Sequence, residues 1–426
     1  MGQGMFSFPQ APDRARALGE IHARPYVLVT APRVIFQLAF MMDGGSGVDH
    51  AVMAEMSRQR GVSPPGRDAR HHAMPWGPGT LRWEQHTEFS TWFWDGPLPA
   101  KFGGEVPVHP FGDNFRPPGS LISGIRLELR PDGPDIDGVI GQFDQTSLCY
   151  SEVKDGTGRI YTDFRQDGDG LTQILLVDNG MTPLGTGALV QRLLEIETYR
   201  TLAMLGLPLA QTLSPEIRRI EDGLTGITQR MKSEPRQDAD AVLAEITRLA
   251  ADLEANAAIA LYRFGASRAY YGIVRERIAT LAETPVPGFE HLGSFLERRL
   301  APAMRTCQSV EERQANLSRK LTRANALVRS WIDVELERQN GALLTAMNRR
   351  AEMQLRLQQT VEGLSVAAIS YYVVGLFGYL VKAFVHEGDA IDPGLLTGAF
   401  VPVAVFGVWY VVRRIKRKHD VHQTQV

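Results

Sequence analysis

Two stretches near the C-terminus of this chain contain no charged side chain. They span residues 363–381 and 394–412, and each is 19 residues long. A helix of this length extends roughly 28 Å, which is close to the thickness of the hydrocarbon core of a bilayer. A buried helix of a soluble protein accounts for one such stretch, but it accounts poorly for two in tandem. The sequence therefore predicts two transmembrane helices, at 363–381 and 394–412.

The charges that flank the two spans predict their orientation. The short loop 382–393 carries Lys382 against three acidic residues, Glu387, Asp389 and Asp392. Basic residues precede the first span and follow the second: Arg349, Arg350 and Arg356, then Arg413, Arg414, Lys416, Arg417 and Lys418. Because positively charged flanks stay in the cytosol, we expect both termini inside, the loop outside, and a basic cytosolic tail at 413–426.

Small and polar residues form a stripe on the first predicted span. Five of its members step by three and four residues: Ser365, Ala368, Tyr372, Gly375 and Tyr379. This spacing places these five on one helical face. Gly378, next to Tyr379, is the sixth candidate pore or packing residue. Such a face serves either helix–helix packing or a wetted pathway, and the sequence leaves both interpretations open.

Residues 186–362 are predicted to form a long helical stalk. Five residues repeat there with the four-three spacing of a coiled-coil seam: Leu317, Leu321, Ala324, Val328 and Trp331. The repeat resumes in a shifted register at Leu336, Leu343 and Met347. The apolar stripe of such a helix must be buried. Its partner is either another copy of the chain or the segment 238–283 of the same chain.

Residues 1–185 are predicted to form a cytosolic α/β domain, which makes the whole chain α+β with a helical stalk and two transmembrane helices. Apolar runs and period-two alternation predict the strands. The predicted strands are 33–42, 81–94, 121–130, 159–165 and 172–177, and 48–60 is predicted to be a short helix. Asp155 and Gly156 predict a hairpin turn before 159–165.

One candidate metal site lies on the predicted strand 81–94. Glu84, His86 and Glu88 occupy positions i, i+2 and i+4, which lie side by side on one face of a strand. They are candidate ligands for a divalent cation, and the alternative is an ordinary solvated polar face.

Other chemistry finds no support in the sequence. No nucleotide-binding, nucleophile-elbow or zinc-protease motif occurs, so we predict no enzyme and no further cofactor. The two cysteines, Cys149 and Cys307, are too few for a cluster of thiolate ligands. The net charge of −2 gives no general attraction to nucleic acid.

Four stretches together resemble a bacterial family of uncharacterised membrane-anchored proteins. They are EIHARP at 20–25, WEQHTEFST at 83–91, ALVQRLLEIETYR at 188–200, and LRLQQTVEGLSVAAISYYVVGLFGYL at 355–380. The resemblance spans nearly the whole chain. It implies a C-terminal anchor in the bacterial inner (plasma) membrane, and it implies no particular activity.

The predicted architecture is also similar to that of CorA-type magnesium transporters. Those proteins have a cytosolic α/β domain, a very long helix entering the first span, a short outer loop, and a second span followed by basic residues. Near the end of the first span they carry a Gly-Met-Asn signature. VVGLFGYL at 373–380 looks similar through Gly375 and Gly378, but Tyr379 and Leu380 stand where Met and Asn would be. An aliphatic Leu cannot hold a hydrated cation, so the likeness does not imply selective magnesium transport.

Three functions remain open at this point. In the first, a CorA-like homo-oligomer conducts or senses an ion; the stripe lines the axis, and Glu387, Asp389 and Asp392 concentrate cations at the outer mouth. In the second, a membrane-anchored scaffold or regulator binds a cytosolic protein partner through its N-terminal domain and stalk, without transport. In the third, an enzyme uses the metal site at Glu84, His86 and Glu88.

Overall fold

The computed structural model describes residues 11, 12, 14, 18, 27–42, 44, 45, 47–233, 239–384 and 392–423, with the backbone alone at 384 and 416–423. The chain divides into two compact units, Met1–Asn325 and Ala326–Val426.

The strands are β1 (Arg33–Met41), β2 (His71–Trp76), β3 (Gly79–Gln85), β4 (Phe89–Gly96), β5 (Leu121–Pro131), β6 (Cys149–Val153), β7 (Gly158–Thr162), β8 (Thr172–Asp178) and β9 (Thr284–Pro285). The helices are α1 (Val48–Gln59), α2 (Ile136–Ile140), α3 (Pro183–Met204), α4 (Gly206–Ser233), α5 (Ala239–Leu281), α6 (Leu292–Phe384) and α7 (Pro393–Gln423).

The described part of the first unit contains a mixed sheet of nine strands. Their order is β2-β3-β4-β1-β5-β8-β7-β6-β9. The only parallel pair among them is β5 with β8. The sheet and the helices together confirm the coarse prediction of mixed α and β structure with long helices at the C-terminal end. The finer domain limits at 185 and 362 stay predictions.

Several local predictions are confirmed. The predicted strands 33–42, 121–130 and 172–177 are β1, β5 and β8, and the predicted helix 48–60 is α1. The predicted strand 159–165 is shorter, and it ends at Thr162 as β7. Asp155 and Gly156 form the turn before it with φ angles of 56° and 84°, in the left-handed region that a tight hairpin requires.

The predicted single strand 81–94 is wrong. The chain turns back between Gln85 and Phe89, so β3 and β4 form an antiparallel hairpin. In this hairpin Trp83 lies opposite Trp92, whereas Phe93 lies opposite Arg82. Because directly opposite residues share a face of the sheet, Trp83 and Phe93 are on opposite faces, whereas a single strand 81–94 would place both on one face.

Aromatic side chains fill the face of the sheet that carries α1. Trp83, Trp92 and Trp94 are fully buried there, in a cluster with Met53 of α1 and Phe36 of β1. Three indole rings remove a large apolar area from water, and their stabilising effect scales with that area. This cluster holds the β2–β3–β4 end of the sheet in place.

The opposite face of the sheet carries α3. Leu189, Leu193 and Ile196 of this helix are buried in one cluster with Ile35 of β1 and Leu127 of β5. Thr182 caps the helix, since its hydroxyl accepts a hydrogen bond from the N–H of Gly185 at 3.1 Å, and Pro183 occupies the first helical turn. The start of α3 is thereby fixed relative to the sheet.

A buried ionic triad lies on β5. Glu128 is fully buried and pairs with Arg126 at 2.8 Å through Oε1 and with Arg130 at 2.6 Å through Oε2. The N–H of Gly103 donates a third hydrogen bond to Glu128, at 2.9 Å. Arg126 and Arg130 donate in turn to the carbonyl oxygens of residues 104 and 99. The triad therefore attaches the loop that contains residues 99–104 to the sheet.

Helices α5 and α6 run antiparallel in the first unit. Ser318 of α6 donates to Glu254 of α5 at 3.2 Å, and Arg268 of α5 donates to Glu311 of α6 at 2.8 Å. The seam residues Leu317, Leu321 and Ala324 are buried. This part of α6 therefore has the intrachain partner 238–283 that the sequence offered as one of two choices.

The second unit contains the rest of α6 and helix α7. The shifted seam residues Leu336, Leu343 and Met347 are all more than half exposed there. Phe377 of α6 stacks on Phe400 of α7, with 3.9 Å between the ring centroids. Each of the two helices contains a stretch that is long and apolar enough to cross a membrane, and only 6% of each stretch is buried. A core helix of a soluble protein would be mostly buried.

Replacing Glu128 tests the triad. In Glu128→Gln, two buried guanidinium groups lose their counter-charge, and we expect the free energy of unfolding to fall by about 3–5 kcal/mol. The measurement is urea unfolding of the detergent-solubilised protein, followed by fluorescence of the buried tryptophans. Glu55→Gln removes an exposed carboxylate that pairs with Arg58 and serves as the matched control, with little change expected. Equal unfolding midpoints for the two variants would contradict a structural role of the triad.

Candidate functional site

A cavity of about 540 Å³ lies in the first unit between the sheet and α3. Residues of β1, β2, β3 and β4 form its sheet side, and residues 187–199 of α3 form its helix side. Residues 27–29 close a third side. A cavity of this size is in the range that binds small molecules in proteins.

The strand register determines which side chains of the sheet lie on the α3 face. Arg82 lies opposite Phe93, which in turn lies opposite Gln37 of β1. Glu84 lies between His71 and Thr91 on the neighbouring strands. These residues share the α3 face because directly opposite residues point to the same side of a sheet. A patch of polar groups therefore faces α3 at this end of the sheet.

The helix side of the cavity is fixed by hydrogen bonds. The amide of Gln37 donates to the hydroxyl of Thr198 at 3.0 Å. Gln191 donates to Glu195 at 2.9 Å, and Glu195 also pairs with Arg277 of α5. Because these bonds join β1, α3 and α5, the helix side of the cavity is already fixed without a ligand.

Residues 27–29 lie close to the start of α3. The N–H of Val29 donates to the carbonyl of Pro183 at 3.3 Å. A Cβ atom added at Gly187 would lie 1.7 Å from the carbonyl oxygen of Val27. No side chain fits at this position, and only glycine lets the segment approach the helix so closely.

Arg82 carries a positive charge at the wall of the cavity. Its side chain is 30% exposed, and Nη1 lies 3.7 Å from Oδ1 of Asp95, which is too far for a hydrogen bond. Among the described residues, neither Nη1 nor Oδ1 has a hydrogen-bond partner. Burial lowers the pKa of Arg82 and raises that of Asp95, because each charged form loses hydration. The ion pair therefore satisfies the two groups only in part.

The β3–β4 turn forms the rim of the cavity and is attached to α5. His86 stacks on Phe89 with 4.2 Å between ring centroids. Glu88 pairs with Arg263 of α5 at 2.8 Å and accepts a hydrogen bond from Tyr262 at 3.2 Å. Burial raises the pKa of Glu88, but hydrogen bonds and the charge of Arg263 outweigh this effect, so that its pKa lies below the usual value.

The candidate metal ligands do not occupy alternate positions of one strand. Glu84 is on β3, His86 and Glu88 are in the turn, and Glu88 is held by Arg263. Glu84 and His86 both line the cavity, as does His71 beside Glu84. Within the described ranges, no group of three or more His, Cys, Asp or Glu side chains is arranged to hold a metal ion.

The polar residues that give the cavity its chemistry were not predicted from the sequence. Gln37, Arg82 and Glu195 come from three separate elements and carry no common motif. The one available signal was the presence of polar residues within apolar strands: Gln37 interrupts the run RVIFQLAFM of β1. A buried polar side chain in such a run requires a partner, and this partner is Thr198.

The stripe on the first predicted span is exposed in the second unit. Ser365, Ala368, Tyr372, Gly375 and Tyr379 all belong to this exposed face. The hydroxyl of Ser365 donates to the carbonyl of Val361 at 2.8 Å, within the helix. Gly378 is half-buried and faces Thr397 of α7. The contact with α7 therefore uses Phe377 and the candidate residue Gly378, whereas the other five residues of the stripe lie on another face.

The charged residues near the spans are described only in part. Glu387 and Asp389 lie outside the described residues. Asp392 is exposed, and its Oδ1 accepts a hydrogen bond from the N–H of Gly394 at 2.8 Å, at the start of α7. Arg413 lies over the ring of Trp409, with 4.7 Å to the centroid, and Arg414 is exposed. The side chains of Lys416, Arg417 and Lys418 lie outside the described residues.

Comparisons with known proteins bear on the family. No curated protein matches the chain. Among solved structures, the chain is similar to one described as the full-length CmaX protein, with 11% sequence identity over 76% of this chain and 94% of that chain. The TM-score of 0.18 is too low to support any inference about fold or function. A family model described as "Protein of unknown function (DUF3422)" matches residues 9–419, which include all four sequence stretches noted above. The chain belongs to the DUF3422 family.

Proposed function

We propose that this protein is a membrane-anchored homo-oligomer in which the stripes on the first spans of neighbouring copies face each other. The observation that carries the proposal is the exposure of the stripe in a single chain, while Phe377 and Gly378 take the contact with α7. Small residues let helix backbones approach closely in a bilayer. A second copy is therefore the partner that suits this face.

An exposed apolar face of α6 continues into the stripe. Leu357, Val361, Leu364 and Ala368 follow one another in steps of four, three and four. Leu357 is 70% exposed, and Leu364 is 67% exposed. Leu357 and Val361 precede the predicted span, and apolar area in contact with water costs about 25 cal/mol per Å² there. Burial of these two residues between copies would therefore stabilise the oligomer.

The flanking charges support a membrane orientation with both termini in the cytosol of a bacterium and the loop 382–393 outside the inner membrane. The loop carries three acidic residues and one lysine, whereas the segment after the second predicted span begins with Arg413 and Arg414. Retention of basic flanks in the cytosol is the physical basis of this assignment.

Cysteine labelling tests the orientation. In intact cells whose outer membrane has been permeabilised, we expect a maleimide that cannot cross the inner membrane to label Asp392→Cys. The same reagent should label Arg414→Cys only after the inner membrane is opened. The native cysteines, Cys149 and Cys307, are buried, and the unmodified chain gives the background. Labelling of both variants in intact cells would rule out the proposed orientation.

Oxidative cross-linking tests the oligomer. Ala368→Cys lies on the exposed stripe, and we expect it to form covalent dimers in native membranes. Ser370→Cys is two positions away at a residue that is only 4% exposed, so it should remain monomeric under the same oxidant. Equal yields of dimer from the two variants would contradict packing through the stripe.

As the activity of this oligomer we propose a CorA-like ion pathway, in which the stripes surround a shared axis instead of packing in direct contact. A ring of first spans places Ser365, Tyr372 and Tyr379 along a shared axis, and the acidic loop then raises the local concentration of cations at the outer mouth. Hydroxyl groups along the axis would replace part of the hydration shell of an ion.

Flux into proteoliposomes tests this activity. We expect the wild type to carry potassium or magnesium faster than empty vesicles do. Tyr372→Leu removes a hydroxyl from the stripe and should lower the flux severalfold. Tyr371→Leu changes the neighbouring tyrosine, which lies off the stripe, and is the matched control. Wild-type flux equal to that of empty vesicles for both ions would refute conduction.

The cavity favours a second candidate function, that of a membrane-anchored regulator without transport. Its walls are joined to α3 and α5 through Gln37, Glu195 and Glu88. A ligand that contacts the sheet and α3 together would stabilise this arrangement by mass action. Ligand-dependent protection of α5 from proteolysis, with no ion flux, would favour this candidate over the first.

A further inference from the structure

The exposed apolar face of α6 in the second unit follows one heptad register up to the first predicted span. Its positions alternate in steps of four and three residues: Leu336, Asn340, Leu343, Met347, Arg350, Gln354, Leu357 and Val361. All of these side chains are exposed in the single chain. This set is the membrane-proximal seam. It covers roughly three and a half heptads, a length that indicates a coiled coil.

The residue types of the membrane-proximal seam are those of a parallel two-stranded coiled coil. A step of four residues leads from position d to position a of a heptad. Leucine therefore occupies three d positions, those of Leu336, Leu343 and Leu357. The a positions include Asn340 and the β-branched Val361. Leucine at d and a β-branched residue at a favour two strands, and asparagine at an a position specifies the register and the number of strands.

The positions beside the seam allow identical copies to pair without repulsion. In a parallel coiled coil, the e positions of one helix lie beside the g positions of the other. From residue 339 to residue 360 none of these positions is charged: Gln339, Leu344, Ala346, Ala351, Met353, Gln358 and Thr360. Glu337, at the e position before them, would lie beside Ile332 of the other copy. The edges of the seam therefore bring no like charges together.

Most charges of this part of α6 lie away from the seam. Glu335 and Arg338, at positions c and f, pair with each other at 2.8 Å. Arg349 and Glu352 likewise occupy c and f positions on the outer side. Arg350 is the exception, at a d position. Its long aliphatic stem allows the guanidinium to reach water from there.

The bilayer determines the direction in which two copies meet. Helix α6 continues into the first predicted span, and the basic flanks give every copy the same orientation. Neighbouring α6 helices therefore run parallel, and the two Asn340 amides lie opposite each other, where each satisfies the other. Leu364 and Ala368 follow the seam in the same register. The seam is thus continuous with the face that packs between copies in the proposed oligomer.

We propose that residues 336–361 of two copies form a parallel, in-register coiled coil outside the bilayer, with the Asn340 side chains hydrogen-bonded to each other. The proposal deepens the proposed homo-oligomer and rests on it for the presence of a second copy. It adds the number of strands, the register and an interface outside the bilayer. A ring of first spans assembled from such pairs contains an even number of copies.

Oxidative cross-linking of the full-length chain in native membranes tests the coiled coil. Leu343→Cys and Leu357→Cys are at d positions, where paired Cβ atoms lie close enough for a disulfide, and we expect covalent dimers from both. Thr345→Cys is at an f position on the outer side and should remain monomeric under the same oxidant. Absence of dimers from both d variants, or an equal yield from Thr345→Cys, would overturn the coiled coil.

A change of one amide to a carboxylate tests the role of Asn340. Asn340→Asp, combined with Leu343→Cys, places two carboxylates opposite each other, and their repulsion should lower the yield of dimer severalfold. Asn348→Asp makes the same change at a b position on the outer side and is the matched control, with no change expected. Equal yields from the two combinations would refute the pairing of Asn340.

The same assay separates the coiled coil from the packing of the spans. If Ala368→Cys forms dimers but neither d variant does, the coiled coil fails and the proposed oligomer stands. If the d variants form dimers but Ala368→Cys does not, packing through the stripe fails and the coiled coil stands. Light scattering of the detergent-solubilised protein should give an even number of copies, and an odd number would overturn the assignment of two strands.

Discussion

The packing of α3 against the sheet is the contact on which the rest of the first unit depends. Leu189, Leu193 and Ile196 bury one side of the helix on the strands at the centre of the sheet. This apolar contact does not extend to the β2–β3–β4 end, where Arg82 and Glu84 replace aliphatic residues. The helix and the sheet cannot close on each other there without burying charge. The core and the cavity are thus two parts of one interface.

Charged side chains fix the boundaries of this interface. Glu128 holds the loop that contains residues 99–104 to one side of β5, and Glu88 and Glu195 attach the turn and α3 to α5. Each carboxylate meets an arginine, which limits the cost of removing it from water. Arg82 and Asp95 differ, because the 3.7 Å between Nη1 and Oδ1 is too long for a hydrogen bond between them. The less satisfied pair is the one that lies at the cavity wall.

Local patterning predicted much of the fold and little of the cavity. The strands β1, β5 and β8 followed from apolar runs and alternation, because both faces of these strands are largely buried. The β3–β4 turn escaped prediction because residues 85–89, QHTEF, contain no glycine, proline or asparagine. The cavity brings together Gln37, Arg82 and Gln191 from three different elements. No spacing in the sequence predicts that these side chains lie close together. The choice of partner for Leu317 and Leu321 likewise required the structure, since the seam itself suits either partner.

The two halves of α6 differ in what covers their apolar residues. Leu317 and Leu321 are buried, whereas Leu343 and Met347 are exposed although they belong to the same helix. A helix that leaves aliphatic residues in water over several turns loses the main source of its own stability. Lipid can cover the stretch 363–381, but it cannot cover residues 336–347, which carry charged neighbours such as Glu335 and Arg349. In the proposed oligomer, a second copy would bring the same shifted seam in the same register and would cover these residues.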